Sequence, residues 1–169
     1  MEEEIINRVA NSKLITIDLE ELYPEGERVL FDIKDWLYEG IVLKEKDFRE
    51  HVKGHDWTQY KGQYVALTCS EDVIIPSWAY LLLSAELAPY AITVVVGNLE
   101  LLETVLFQKG IEDMSIVDYI DKPVIIKGCA DKPIPASAFT WLAQKLQPVV
   151  GKMMYGEACS TVPLYKKSK

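Results

Sequence analysis

The stretch of sequence that decides the fold is residues 64–96, YVALTCSEDVIIPSWAYLLLSAELAPYAITVVV. Two apolar runs, 64–67 and 92–96, flank a helical segment that opens at Pro76 and closes at Pro89. Continuous apolar runs are typical of strands covered on both faces, and proline fits the first turn of a helix. A strand, a helix and a second strand in this order predict a parallel βαβ unit with a right-handed crossover.

The same alternation continues toward the C-terminus, where a third apolar run at 124–126 predicts another covered strand. The predicted helices are 76–88, 98–109 and 135–147. Asn98 is a good N-cap, and Gly110 and Pro148 are residues typical of positions just past a helix end. We therefore predict an α/β fold, a three-layer sheet with a parallel βαβαβα core over about residues 63–148.

The sequence on either side of this core is less regular. In chain order it predicts a helix over 2–11, a strand over 14–19, a strand over 28–33 able to pair back antiparallel, and a charged helix over 44–53. At 169 residues the chain has the length of one ordinary domain. We expect a single α/β domain, with an N-terminal α+β extension at 1–60, the βα core at 63–148 and a docked C-terminal tail at 149–169.

The charge balance excludes one class of partner. The chain has 18 Lys and Arg residues against 26 Asp and Glu residues, a formal net charge of −8, and such a chain repels a phosphate backbone. Nucleic acid is therefore not expected as a partner. The acidic residues 2–4 do not fit a secretory signal, and no apolar stretch approaches the roughly 18 residues of a membrane span. We expect a cytoplasmic protein with no membrane partner and with reduced thiols.

Two cysteines follow predicted strands at matching points of a weak internal echo. Cys69 follows the run at 64–67 and Cys129 follows the run at 124–126, and each precedes an Asp, an Ile-Pro pair and a helix. Ligands of open parallel sheets bind beyond the carboxyl ends of the strands, and the dipole of a helix N-terminus favours a thiolate. We therefore expect the two thiols at the same edge of one sheet.

The third cysteine, Cys159, lies in the predicted tail, and docking of the tail is expected to bring it to Cys69 and Cys129. Three thiolates suit Zn²⁺ with a fourth ligand, iron or an iron–sulfur cluster, and sulfur atoms that share one ion lie within about 4 Å of each other. Two alternatives stay open, because no CxxC spacing is present. One is an enzyme with Cys69 or Cys129 as a thiol nucleophile or persulfide carrier. The other is a structural or interaction protein with inert cysteines.

Other residues give weaker signals. His51 and His55, four residues apart, are candidates for a metal site with Asp56, although a solvated helix end is the alternative interpretation. The glycine turn at 97–98 matches neither nucleotide-binding fingerprint, so no nucleotide is expected. The helix from Trp78 to Leu87 is apolar almost all round, which predicts either burial or a homodimer through this helix.

Several strings along the chain resemble an uncharacterised bacterial domain-of-unknown-function family (family 2480). They are residues 5–10, 32–37, 45–49, 69–80 and 156–164. The resemblance covers the whole chain and implies no activity. The genes of that family lie beside iron–sulfur cluster assembly genes, and the resemblance therefore implies an accessory role with iron–sulfur assembly proteins as partners. A cytoplasmic accessory protein that binds metal through Cys69, Cys129 and Cys159 is the leading hypothesis from the sequence.

Overall fold

The computed structural model describes residues 14–128 and 131–168. The chain divides into two compact units. The first, called the inserted unit after its place in the chain, is Glu25–Glu103. The second, called the flanking unit, comprises the described residues of 14–24 and 104–168. The expectation of a single domain stays a prediction.

Four α-helices and seven strands lie in the described parts of the chain. The strands are β1 (Ile15–Asp18), β2 (Arg28–Asp32), β3 (Tyr64–Thr68), β4 (Thr93–Val96), β5 (Pro123–Lys127), β6 (Lys152–Glu157) and β7 (Ser160–Lys166). The helices are α1 (Glu45–Gly54), α2 (Ser77–Leu87), α3 (Leu99–Asp113) and α4 (Ala136–Leu146). Short 3₁₀ helices occupy Leu19–Leu22, Ile33–Trp36, Trp57–Tyr60 and Val117–Tyr119. The predicted α/β class is confirmed, and the helix predicted over 2–11 falls outside the described residues.

Each unit has its own sheet. The inserted unit has three parallel strands in the order β2-β3-β4, with Val65 of β3 opposite Val29 and Val94. The flanking unit has the order β1-β5-β6-β7, in which the first three strands are parallel and β7 is antiparallel to β6. In each sheet an interior strand, β3 or β5, carries a continuous apolar run, whereas the run at 92–96 forms the edge strand β4.

The two units repeat one architecture. In each, a strand and a 3₁₀ helix precede an α-helix, a second 3₁₀ helix, the central strand, another α-helix and a third parallel strand. From α1 onward the counterpart of each residue lies 59 positions further along the chain, as Ala138 does for Ala79. Backbone hydrogen bonds recur at that shift. Gly62 N–H donates to Tyr90 O in one unit, and Asp121 N–H donates to Val149 O in the other.

Buried apolar residues recur at the same shift. They are Phe48, Val52, Ala79, Leu83 and Leu87 in the inserted unit, and Phe107, Ile111, Ala138, Leu142 and Leu146 in the flanking unit. Each large side chain among them stabilises its unit by about 1.5–3 kcal/mol relative to exposure. The internal echo in the sequence is therefore a repeat in the structure.

The single continuous sheet predicted for residues 63–148 is wrong. β3 and β4 belong to the sheet of the inserted unit, whereas β5 belongs to the sheet of the flanking unit. Cys69 and Cys129 therefore follow strands of two different sheets. An apolar run shows that a strand is covered on both faces, but the choice of its neighbours depends on tertiary packing. For the same reason β2 pairs parallel with β3 instead of returning antiparallel to β1.

The predicted C-terminal tail is part of a sheet. Residues after 151 form β6 and β7, joined by a two-residue turn at Ala158 and Cys159. Met153 and Met154 are buried as expected, but Val162 is 58 % exposed. Paired strands satisfy their backbone N–H and C=O groups, which a docked irregular tail would leave without partners.

Two smaller differences concern helices. Gly110 does not end its helix, because α3 runs on to Asp113. Helix α2 buries Ala79, Leu83 and Leu87 and leaves Leu81 70 % exposed. The homodimer through this helix stays a prediction.

Among the described residues, no helix combines the length and the apolar character that crossing a membrane requires.

Replacement of Gly110 by Ala is expected to raise the free energy of unfolding by about 0.5–1 kcal/mol, because glycine inside a helix costs that much relative to alanine. A Cβ atom at Gly110 would lie 3.5 Å from Leu22 O, an ordinary contact. Urea unfolding measures the change. Gly151→Ala is the control, since its Cβ would lie 2.6 Å from Asp121 O and destabilise the protein. A loss of stability in Gly110→Ala would contradict the prediction.

Candidate functional site

The inserted unit contains an open cleft with a volume of about 640 Å³, called the α1 cleft below. One side is formed by the end of the 3₁₀ helix Ile33–Trp36 and the turn after it, which contribute Trp36 and Tyr38. The other side is formed by α1 and the residue after it. These contribute Asp47, Glu50, His51 and His55. The volume falls within the range of small-molecule sites, about 300–1,000 Å³.

Asp32, the last residue of β2, fixes the aromatic side of the cleft. Its carboxylate accepts hydrogen bonds from the backbone N–H groups of Lys34 (3.0 Å) and Ser70 (3.1 Å). Burial alone would raise the pKa of Asp32, but the hydrogen bonds from Ser70 and Lys34 outweigh it, and the pKa is lowered. The carboxylate therefore stays charged, caps the 3₁₀ helix that carries Trp36, and ties it to the loop after β3.

Trp36 is held by rings on three sides. It meets Phe31 edge to face at a centroid distance of 5.0 Å and Phe48 at 5.5 Å. The ring of His51 stacks on it, with centroids 5.4 Å apart and planes 14° apart. Aromatic pairs in such geometries add about 0.5–1.5 kcal/mol beyond their buried area. The indole is therefore fixed before any ligand arrives.

His55 is a half-buried polar group of the cleft. Its Nε2 shares a hydrogen bond of 2.8 Å with the hydroxyl of Tyr60, and its ring packs against Trp57 at 4.6 Å. Burial lowers the pKa of His55, and the charge of Asp56 opposes this shift only in part. The imidazole is therefore held in its neutral form more strongly than a free histidine.

The charged groups of the cleft are acidic. Glu39, Asp47 and Glu50 line it, and among the described residues no lysine or arginine does so. Asp47 and Glu50 are three residues apart on α1, with His51 one residue further, so they share one face of the helix. Glu39 adopts a φ of 51°, in the turn that carries Tyr38. The cleft thus presents carboxylates beside aromatic rings.

The flanking unit shows which of these residues the fold requires. The buried positions Phe48 and Val52 of α1 correspond to Phe107 and Ile111, which are equally buried. The cleft positions differ. Asp47, Glu50, His51 and His55 correspond to Leu106, Lys109, Gly110 and Met114. The repeated fold therefore keeps the packing residues and does not need the polar lining.

The same contrast holds for the stack between Trp36 and His51. Trp36 ends the 3₁₀ helix after β2 as Leu22 ends the one after β1, and His51 corresponds to Gly110. A Cβ atom at Gly110 would lie 3.8 Å from the Cβ atom of Leu22. The two positions are thus adjacent in both units. Only the inserted unit has aromatic side chains, Trp36 and His51, at these two positions.

The three predicted cysteine ligands do not form a described site. Cys69 is half-buried after β3 in the inserted unit, and burial and the nearby Cys69 sulfur raise the pKa of Tyr80. Cys159 is exposed in the flanking unit, and Cys129 lies outside the described residues. The structural repeat also shows that Cys69 and Cys129 are not at equivalent positions, because the counterpart of Cys69 is Gly128. The three-cysteine site stays a prediction.

The weaker metal hypothesis at His51, His55 and Asp56 gains no support. The carboxylate of Asp56 accepts hydrogen bonds from the backbone N–H of Thr58 (3.0 Å) and from its hydroxyl (2.6 Å) and so caps a 3₁₀ helix. Residues 14–128 and 131–168 contain no group of three His, Cys, Asp or Glu side chains placed to hold a metal ion.

The predicted N-cap Asn98 is confirmed, since its Oδ1 accepts a hydrogen bond from Leu101 N–H at 2.8 Å.

Sequence reasoning missed most of the α1 cleft. Residues 47, 50, 51, 54 and 55 recur at helical spacing, a polar pattern visible in the sequence, but it resembles the solvated face of any surface helix. The sequence did not predict that Trp36 and Tyr38 complete the cleft, because no periodicity indicates that residues 35–40 lie opposite α1.

The fold and the cleft define an α/β protein built from two similar units, one of which carries a ligand-sized aromatic and acidic cleft. The chain belongs to the DUF2480 family, described as a protein of unknown function, whose sequence model matches residues 3–167. Neither the curated proteins nor the solved structures contain a match. The family resemblance seen in the sequence is confirmed, whereas its iron–sulfur role and bacterial origin stay predictions.

The pH dependence of stability is expected to include a contribution from His55. Because its pKa is lowered in the folded state, the unfolded chain binds more protons, and stability falls as the pH drops through about 6.5, the ordinary histidine pKa. In His55→Gln this fall should be smaller in urea unfolding across that range. His51→Gln, a histidine removed from the adjacent helix turn, is the matched control. An unchanged fall in His55→Gln would refute the assignment.

Proposed function

We propose that the protein binds a small molecule in the α1 cleft. The observation that carries this proposal is the difference between the two units at matched positions. The flanking unit reaches the same fold with Leu106, Lys109 and Gly110 in place of Asp47, Glu50 and His51. Side chains that a fold does not need, gathered with a fixed indole around a cavity, are better explained by a ligand than by stability.

The arrangement favours a binding site with a preformed wall. Trp36 offers a large rigid surface, and its contacts with Phe31 and Phe48 hold it in place. A wall that is ordered before binding costs little conformational entropy when the ligand arrives. The carboxylates of Asp47 and Glu50 then supply orientation.

The binding proposal is tested with three probes that share one ring, benzylamine, benzyl alcohol and benzoate. Binding of at least one of them is expected to change the NMR signal of the Trp36 indole N–H. The blocking variant is Gly54→Phe, because Gly54 lines the cleft and a Cβ atom there meets nothing within 4 Å. It should fold normally and weaken binding by about tenfold or more, since the added ring occupies ligand space.

Ala85→Phe adds the same ring on the exposed side of α2, away from the cleft, and should bind like the unmodified protein. Absence of binding by all three probes, or equal binding by Gly54→Phe, would overturn the proposal.

A second candidate function is a thiol site in the flanking unit. β6 runs parallel to β5, with Tyr155 opposite Ile126, so the turn that holds Cys159 lies at the edge where β5 ends. β5 is also the strand that precedes Cys129 in the sequence. This placement supports Cys129 and Cys159 as ligands of zinc, iron or a cluster in an accessory protein, and it assigns Cys69 to another sheet.

Metal content after anaerobic purification tests the thiol site. Stoichiometric zinc or iron is expected, with loss of most of it in Cys159→Ser because one ligand is removed, and no loss in Cys69→Ser, the matched control. A metal-free protein with one rapidly alkylated thiol would support the nucleophile or persulfide alternative instead. Slow alkylation of all three cysteines without metal would support inert cysteines.

A further inference from the structure

We infer that the ligand of the α1 cleft is an organic cation, a protonated amine or a related onium group carried on an apolar body. The inference rests on the proposed function and adds the chemical class of the ligand. It stands on three features of the cleft: the sign of its charges, the nature of its rings, and the spacing of its carboxylates.

The sign of the charges favours a cation. Glu39, Asp47 and Glu50 contribute three carboxylates, and among the described residues the lining contains no lysine or arginine. The flanking unit does not repeat these charges, since it carries Lys109 at the position of Glu50 and a buried Leu106 at that of Asp47. The acidic lining is therefore a property of this cleft and not of the repeated fold. An anionic ligand would be repelled there.

The rings favour a cation as well. The faces of indole and phenol rings carry negative charge density and attract ammonium groups, indole most strongly. One such contact is present beside the cleft, because the ammonium group of Lys44, which is not a lining residue, lies over the ring of the lining residue Tyr38. A ligand ammonium beside Trp36 would repeat this chemistry with the carboxylates of α1 nearby.

The spacing of the carboxylates favours an organic cation over a metal ion. A metal ion needs three or more ligand atoms at about 2.0–2.6 Å. No group of three potential ligand side chains with that arrangement is found in the described residues. Carboxylates beside aromatic walls suit a charge that is spread over several hydrogens and attached to a carbon framework.

The three ring probes test this inference by titration at low salt. Benzylamine, a cation at neutral pH, is expected to bind about fivefold or more tightly than benzyl alcohol, and benzoate is expected to bind most weakly. Added salt should weaken benzylamine binding and leave benzyl alcohol unchanged, because only the charged probe is screened.

Two charge variants on one helix localise the effect. Glu50→Lys introduces the residue that the flanking unit carries at the matching position and should weaken benzylamine binding about tenfold, because it reverses a charge in the lining, with benzyl alcohol unaffected. Glu45→Lys makes the same change in net charge on α1, at a residue that pairs with Arg49 and does not line the cleft. Compared at about 0.15 M salt, where the screening length is about 8 Å, it should weaken benzylamine binding less than Glu50→Lys does, because the changed charge lies outside the lining.

The outcomes separate the inference from the proposed function. If benzyl alcohol or benzoate binds as tightly as benzylamine and Gly54→Phe blocks it, the cleft is a ligand site and the cation inference is wrong. If Glu45→Lys and Glu50→Lys weaken benzylamine equally, the preference reflects net charge and the inference is again wrong. If no probe binds, the proposed function fails and the inference fails with it.

Discussion

Both units depend on covering the two faces of a central parallel strand. In β3 the residues from Tyr64 to Leu67 are all buried, and in β5 Val124, Ile125 and Ile126 are buried. A strand covered on both faces needs apolar side chains packed against it, and one face of each central strand packs on a helix of its own unit. α2 and α4 meet this requirement with the same Ala-Leu-Leu spacing of four residues.

The same requirement explains why α1 is available for function. Phe48 and Val52 occupy the buried face of this amphipathic helix, and the packing of the unit places few demands on the rest of its surface. Asp47, Glu50 and His51 lie on that remaining surface, where the flanking unit carries different residues. Comparison of the two repeated units therefore distinguishes residues that maintain the fold from residues that could bind a ligand, which a single unit does not. Positions that are apolar and buried in both units, such as Phe48 and Phe107, maintain the fold, whereas a position that differs and is exposed in both, such as Glu50 and Lys109, is open to a ligand.

Carboxylates serve two purposes in this protein, and their partners distinguish them. Asp18, Asp32 and Asp56 each end an extended segment and accept a hydrogen bond from the backbone N–H two residues on, which begins a 3₁₀ helix. Hydrogen bonds from Thr58 lower the pKa of Asp56, so this cap stays charged. The carboxylates of Asp47 and Glu50 line the cleft beside Trp36 and His51 instead, where the same charge is available to a partner.

The sequence by itself determined the local structure: apolar runs placed β3, β4 and β5, and prolines bounded α2 and α4. These features follow from interactions between neighbours in the chain, and a single sequence contains them. Only the tertiary structure decided that β3 and β5 belong to different sheets, that residues after 151 pair as strands, and that Trp36 meets His51. Each of these depends on which distant segments pack together, and hydrophobic pattern alone does not specify a partner, because any covered strand or apolar helix face satisfies it equally.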